Sequence, residues 1–321
     1  MSATGTPPAR SRRDQRRVDR EYARQQQGAW YPRSFWPSFA APAMFWQAVF
    51  FAASFYVILA VAFGTQDFFR NALPVFQPWW WDFSTFSDQL DKIVGGVYQA
   101  VYLRTFMYVG LASVLCLLIG YPIAYFVARH GGRRKALFLV LLIMPFWISY
   151  LMRMYAWSSL LEVDGYVNDI LTFLHILPEP YGWLEGTHIT VILGLVYGYV
   201  PYLILPLYGQ LDRIDGAMLE ASRDLGANPV KTFWRVTLPL SKPGILAGLI
   251  IVTLPMFGDY YTKDLLSMSP RTTMIGNLID FTYQNPGLTA QGASLVLTVV
   301  VLLIVPMIWY LRYTAKAAAA K

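Results

Sequence analysis

A single cysteine, Cys116, in 321 residues excludes an internal disulfide framework and any thiolate zinc cluster. The three histidines, His130, His175 and His188, are scattered, and none pairs at metal-ligand spacing. No G-x-x-x-x-G-K-S/T run occurs, so the chain has no P-loop with which to cradle a nucleotide of its own. Charge is scarce as well, at 14% of residues against about 25% in a soluble domain. What fills the chain instead is apolar: 56% hydrophobic and 16% aromatic. The formal charge of +7 would suit nucleic acid, but its distribution along the chain points to a membrane, and no nucleic acid partner is expected.

Charge-free apolar windows fall at 44–63, 105–128, 136–152, 187–211, 243–258 and 288–311. Spanning a bilayer core takes about 20 apolar helical residues, within a range of about 17–25. Four windows meet this comfortably. The third is at the lower limit, and the fifth reaches span length only by recruiting polar flanks such as Tyr260 and Tyr261. These windows predict six transmembrane helices in an all-α, polytopic membrane protein. An even number of spans puts both termini on one side, and lysine and arginine decide which side that is. The side of the termini collects 20 basic and seven acidic residues, a net +13, and the opposite side six and 12, a net −6. Both termini are therefore expected in the cytoplasm, with the chain crossing its membrane several times.

The head, Met1 to Gly28, is rich in arginine, glutamine and proline and reads as a solvated cytoplasmic tail. Arg12-Arg13 resembles a twin-arginine signal only superficially, because the first apolar stretch begins about 30 residues later. The arginines between Arg10 and Arg20 also suit contact with anionic membrane lipid. The expected organisation is a basic tail and interfacial segment at 1–43, a first span at 44–63, an aromatic outer loop at 64–97, a core at 98–312 and a tail at 313–321. In the outer loop, Trp79-Trp80-Trp81 with Phe76 and Phe83 suits an interfacial aromatic belt. Val167, Ile170, Leu171 and Leu174 recur at helical spacing and predict a short helix against the outer face. There is no internal repeat.

None of the six windows contains an acid, lysine or arginine. Ion-coupled transporters commonly place such groups at mid-membrane, so a self-sufficient secondary transporter or channel, the alternative reading, loses ground. An intramembrane metalloenzyme or hydrolase also lacks its ligands or triad. Six prolines lie in the interior of the windows, Pro122, Pro145, Pro201, Pro206, Pro255 and Pro306, each removing a backbone hydrogen bond that lipid cannot replace, and Pro243 opens the fifth window. With Gly120, Gly194, Gly198, Gly209, Gly248 and Gly258 they suit helices that pack closely and move.

The most informative stretch lies between windows four and five. Asp215 is placed to cap a helix, with Ile214 and Leu219 at hydrophobic-staple positions. That helix stops at Gly226, a natural position for a left-handed residue. Asn228 caps a second helix with Pro229 at its first position, and Leu238-Pro239 is expected to close it. The whole reads E-A-S-x3-G-x9-V-x-L-P, from Glu220-Ala221-Ser222 through Gly226 and Val236 to Leu238-Pro239. It resembles the EAA signature of ABC importer membrane subunits, E-A-A-x3-G-x9-I-x-L-P, departing at Ser222 and Val236.

The resemblance extends over roughly residues 98–312. Tyr102-Leu103-Arg104-Thr105, Gly120-Tyr121-Pro122 and Pro145-Phe146-Trp147 look like the spermidine/putrescine branch of these permeases. So do Arg153-Met154-Tyr155-Ala156-Trp157, Leu203-Ile204-Leu205-Pro206-Leu207-Tyr208 and Met274-Ile275-Gly276-Asn277. The resemblance implies a type I ABC importer permease fold and a non-catalytic subunit that forms half of a pathway for a small cation. It implies as partners a second permease subunit, a dimer of ATPase subunits that bind ATP and magnesium, and an extracytoplasmic substrate-binding protein. It also implies that Glu220, Ala221, Ser222, Gly226, Leu238 and Pro239 contact the ATPase. For the pathway, a carboxylate beside aromatic faces suits an alkylammonium through ion pairing and cation–π attraction. Asp259 beside Tyr260 and Tyr261, and Glu162 following Trp147, Tyr155 and Trp157, are the candidates. No metal site and no cofactor of its own are expected.

Overall fold

A computed structural model describes residues 35–68 and 71–319. The arginine-rich head, with its expected solvation and lipid contact, lies outside the described residues. Residues up to Val57 belong to one unit and Ile58 onward to a second. Helix α1, Phe35–Ala62, begins before residue 44, the expected start of the first span. It carries no charged residue, so nothing in its composition stops it at the earlier end of the apolar window.

The core of the second unit is a seam of three long helices: α3 (Gln99–His130), α7 (His188–Asp212) and α10 (Leu238–Phe257). Hydrophobic driving force between helices is absent in lipid, so close packing of small residues has to supply the attraction. Leu203 of α7, fully buried, shows how. A Cβ added at Gly120 of α3 would lie 2.9 Å from Leu203, and one at Gly248 of α10 would lie 3.2 Å from it. Leu203 is thus held between two glycines on two helices. Gly194 and Gly198 give the same close approach to Thr262, Leu266 and Tyr150, whereas Gly209 faces open space and makes no such contact. Hydroxyl pairs join the seam where side chains are polar, Ser113 with Thr253 and Tyr121 with Ser241, both at 3.0 Å. Pro201 and Pro206 sit inside an α7 that runs on uninterrupted.

Among the described residues five helices are long and apolar enough to cross a membrane, and a bent pair makes a sixth if counted as one span. That pair corrects the third window. Its chain forms α4 (Lys135–Ile143), tightens into a 3-10 turn at Met144–Trp147, and resumes as α5 (Tyr150–Leu161) after an 82° bend. Pro145 opens the tight turn, and Ile148 and Ser149 are extended (ψ 138° and 139°), which ends one helix and starts another.

The fifth window is corrected too. Its helix ends at Phe257 and does not recruit Tyr260 or Tyr261. It gains length from the other end: α9 (Pro229–Thr232) continues through a π turn at Phe233–Thr237 into α10, giving a 29-residue rod. Leu238-Pro239 therefore does not close the second loop helix. Pro239 has no N–H, and its ring crowds the preceding turn. In the π turn Leu238 N–H bonds to Phe233 O, one residue further back than in an α-helix, and this wider loop accommodates the proline.

The residues joining these rods are ordered by polar knots. A two-stranded hairpin, β1 (Thr65–Gln66) with β2 (Ala72–Leu73), precedes α2 (Ser84–Val94). Asp82 accepts the Ser84 N–H and hydroxyl, both at 2.9 Å, and those bonds hold its carboxyl below the usual range. Trp79 and Trp80 are exposed, but Trp81 packs on Phe63 and donates to Val75 O at 2.8 Å. The expected short helix is α6 (Tyr166–Phe173). Its buried Asn168 donates to the carbonyls of Glu162, Val163 and Tyr181 and accepts from Tyr181 N–H and Trp183 Nε1. After α10 come α11 (Tyr261–Leu266), α12 (Ile275–Gln284) and α13 (Thr289–Ala319), which carries residues 313–319 as helix.

The seam predicts unequal tolerance among its glycines. A Cβ at Gly244 of α10 would meet Gln210 Cβ at 2.5 Å and Pro206 O at 3.3 Å. Gly244→Val is expected to lower stability by roughly 1–3 kcal/mol, as overpacking does. Gly209→Ala should change it by less than about 0.5 kcal/mol. Thermal unfolding of the two variants in detergent measures the difference.

Candidate functional site

Two regions carry the candidate residues, one at the C-terminal end of α7 and one beside its middle. At its C-terminal end, Arg129 Nη1 donates to Ile214 O at 3.0 Å, and Lys135 pairs with Asp212, fixing where the chain leaves the bundle. Helix α8 (Gly216–Asp224) follows, with Asp215 Oδ1 accepting the Ala217 N–H at 3.0 Å. It stops in a Schellman turn: Ala227 N–H reaches Ser222 O (3.1 Å) and Gly226 N–H reaches Arg223 O (2.8 Å). Gly226 has φ +79°, a region a side chain resists. Asn228 Oδ1 then accepts the Lys231 N–H at 2.8 Å and caps α9.

Ser222, where the chain departs from the family signature, bonds through its hydroxyl to buried Thr232 at 3.1 Å and ties α8 to α9. Thr232 has no place in the signature, and only the fold shows its role. The hairpin is therefore satisfied internally, and it turns Glu220, Ala221 and Pro239 outward. Around them lie exposed apolar side chains, Met218, Leu225, Val230 and Trp234, with Leu225 at 88% exposure. A rigid, capped hairpin whose exposed surface mixes these apolar side chains with charges of both signs, Glu220 and Asp224 beside Arg223, Lys231 and Arg235, has the build of a docking element.

Beside the middle of α7, at Tyr199, the chain buries a carboxylate. Asp259, 7% exposed, accepts Tyr150 Oη at 2.8 Å and Tyr199 Oη at 3.0 Å on Oδ2, and the Thr262 N–H at 2.9 Å on Oδ1. Tyr150 also bonds to the Thr262 hydroxyl. One acid thus joins α5, α7 and the start of α11. The tyrosines around this carboxylate are Tyr150 and Tyr199, not the Tyr260 and Tyr261 that neighbour it in sequence. Those two stack on each other, ring centroids 4.0 Å apart.

The other pathway candidates are not gathered around Asp259. Trp147 and Tyr155 are largely exposed, and Trp157 packs edge-on against Tyr197 at 5.4 Å. Glu162 ends α5, and its carbonyl accepts from Asn168. No sequence signal could have paired Tyr150 and Tyr199 with Asp259, from which they stand 109 and 60 residues away. Arg153, which opens one of the resemblance motifs without a task assigned to it, is buried over the ring of Phe146 at 4.2 Å. Among the described residues there is no group of three or more potential metal ligands.

The architecture is that of an ABC importer permease. A bacterial alginate ABC transporter in complex with alginate pentasaccharide-bound periplasmic protein aligns with a TM-score of 0.66 at 16% identity. The alignment covers 87% of this chain and 93% of that one. A bacterial ABC transporter involved in the import of the acidic polysaccharide alginate aligns at 0.54 and 17%, over 90% and 99% of the two chains. At such identity the likeness is one of fold alone.

The chain belongs to the family of binding-protein-dependent transport system inner membrane components, whose pattern it matches over residues 120–317. It is accordingly a multi-pass protein of the bacterial inner membrane. The spermidine/putrescine transport system permease protein PotB of Haemophilus influenzae is 35% identical over 254 residues, 78% of this chain and 84% of that protein. The protein of the same name in Escherichia coli is 36% identical over 224 residues, 69% and 81% of the two chains.

The hairpin yields two graded variants. Gly226→Val forces a β-branched residue into the left-handed region at roughly 1–3 kcal/mol. This corresponds to about a 5- to 150-fold larger opening equilibrium. Ser222→Ala removes one hydroxyl bridge, at about 0.5–1.5 kcal/mol. Amide hydrogen exchange across residues 216–232 should accelerate in both, more in the glycine variant.

Proposed function

We propose that the chain is the non-catalytic membrane subunit of an ATP-driven importer for polyamines, forming half of the translocation pathway. The observation that carries the coupling half of this reading is the Asp215–Pro239 hairpin. It is capped at both helices, closed by Gly226, joined by Ser222 and Thr232, and exposes Met218, Leu225, Val230 and Trp234 among its charged residues. Glu220 pairs with or caps groups on an ATPase subunit seated against this surface. Leu238 and Pro239 lie where the hairpin passes into the fifth span, so a push on the hairpin reaches the bundle directly. ATP and magnesium are bound by the ATPase dimer. A second permease completes the pathway, and a binding protein delivers substrate from outside. The positive-inside bias supports placing the hairpin and both termini in the cytoplasm.

The substrate class rests on the relatives at 35–36% identity, which are spermidine/putrescine permeases. The acidic balance of the opposite side agrees with a cation. The pathway opens at the end of the fifth span, where Asp259, Tyr260 and Tyr261 lie, with Trp147, Tyr155, Trp157 and Glu162 on its approach. Asp259 holds α5, α7 and α11 together in the conformation described. An opening of the bundle has to loosen that knot.

In proteoliposomes carrying all partners, labelled spermidine and putrescine should accumulate only with ATP and magnesium. The isolated chain should show neither ATP hydrolysis nor uptake. Gly226→Val should insert normally yet lower ATPase stimulation by loaded binding protein severalfold. Uptake by the isolated chain without ATP overturns the reading.

A further inference from the structure

A groove of about 430 Å³ runs between α12, α13 and the end of the fifth span. Its size falls within the range of small-ligand sites, roughly 300–1,000 Å³. Gly276, Asp280 and Tyr283 line it from α12, at the i, i+4, i+7 spacing of one helix face. Val296, Val299 and Val300 line it from α13, and Gly258 and Tyr260 from the chain leaving α10. The approach is close at Gly276, where a Cβ would stand 2.6 Å from Asp259 O and 2.8 Å from Gly258 O. Only glycine there lets α12 lie against that backbone and brings Tyr260 to the groove.

The lining has one charge. Asp280 Oδ2 accepts from Gln284 Nε2 at 2.6 Å, a neutral partner. The ion pairs among the described residues are Lys135 with Asp212 and Lys263 with Asp264, so no described cation pairs with Asp280. A lone carboxylate beside two tyrosine rings and a wall of valine methyls is complementary to a cation with an apolar tail. The ammonium gains ion pairing and the attraction of ring faces, and methylenes leave water against the valines. A neutral sugar would find few donors here, and an anion would meet repulsion.

We propose that Asp280, with the rings of Tyr260 and Tyr283, is a subsite for the ammonium head of an alkylammonium substrate whose methylene chain lies along Val296, Val299 and Val300. This rests on the importer reading above and names the carboxylate that contacts the cation. That group is Asp280, on α12, and not Asp259, whose oxygens are taken by Tyr150, Tyr199 and Thr262.

The test is equilibrium binding of labelled spermidine and putrescine to the purified complex of both permeases and the ATPase, without binding protein. Asp280→Asn should weaken binding at least tenfold, and Asp280→Glu should remain within about threefold of the parent. Tyr283→Ala should weaken it severalfold, while Tyr283→Phe, which keeps the ring face, should not. If Asp280→Asn fails to assemble, the Asp280→Glu and tyrosine pairs carry the same comparison. Binding by Asp280→Asn equal to the parent, or equal losses in Tyr283→Ala and Tyr283→Phe, overturns the subsite. Uptake by the parent in vesicles is measured separately. A parent that binds polyamines in this charge-dependent way but does not import them leaves the subsite standing and removes the importer reading.

Discussion

Leu203 between Gly120 and Gly248 is the contact on which the rest of the second unit depends. It brings α3, α7 and α10 within backbone reach of one another, the condition for strong dispersion contact where no water is available to drive association. Both candidate regions are suspended from that seam. The Asp259 knot joins the middle of α7, at Tyr199, to the residues just past the end of α10, and the hairpin joins the end of α7 to the beginning of the α9–α10 rod. Any relative sliding of α7 and α10 moves both regions together. That is mechanical coupling through two rigid rods, with no separate pathway of residues required between them.

The knot and the hairpin differ in how their polar groups are satisfied. The hairpin closes its own hydrogen bonds within about ten residues, so it keeps its shape while its outer face is free to dock. The knot closes through partners on three helices, so its bonds persist only while those helices stay in place. A buried carboxylate stripped of its phenol and amide donors would be strongly disfavoured, so an opened state has to supply water, a cation or new donors to Asp259. The region near the end of α10 thus resists partial opening, which favours two discrete arrangements over a continuum.

Local chemistry was readable from the sequence, and distant chemistry was not. Asp215, Gly226, Asn228 and Pro229 act on backbone groups a few residues away, and each takes the place the spacing predicts. The long apolar windows gave the rods for the same reason. The third window misled because hydropathy averages over Pro145 and the extended pair Ile148–Ser149, which break a helix without adding polarity. The fifth was drawn too short because Arg235 and Lys242 ended the apolar count, although a helix at a membrane edge tolerates them. Asp259 was chosen for its neighbours in sequence, yet its contacts are Tyr150 and Tyr199. The resemblance motifs in turn proved to be ties between distant segments: Thr105 accepts from Ile275 N–H at 2.9 Å, and Arg104 donates to Thr273 O at 3.1 Å. They position α12, whose Gly276 and Asp280 no motif had assigned a task.

The π turn at Phe233–Thr237 has a geometric consequence. It holds one more residue per turn than an α-helix, and each helical residue advances the face by about 100°. The turn therefore sets the phase between hairpin and span: the faces that meet α3 and α7 below it are rotated relative to those above. Removing that single extra residue would leave α8 and α9 intact and swing them about a quarter turn around the axis of the α10 rod. The angle at which the hairpin presents itself is thus stored in one widened hydrogen-bond ring, which Pro239 keeps from relaxing.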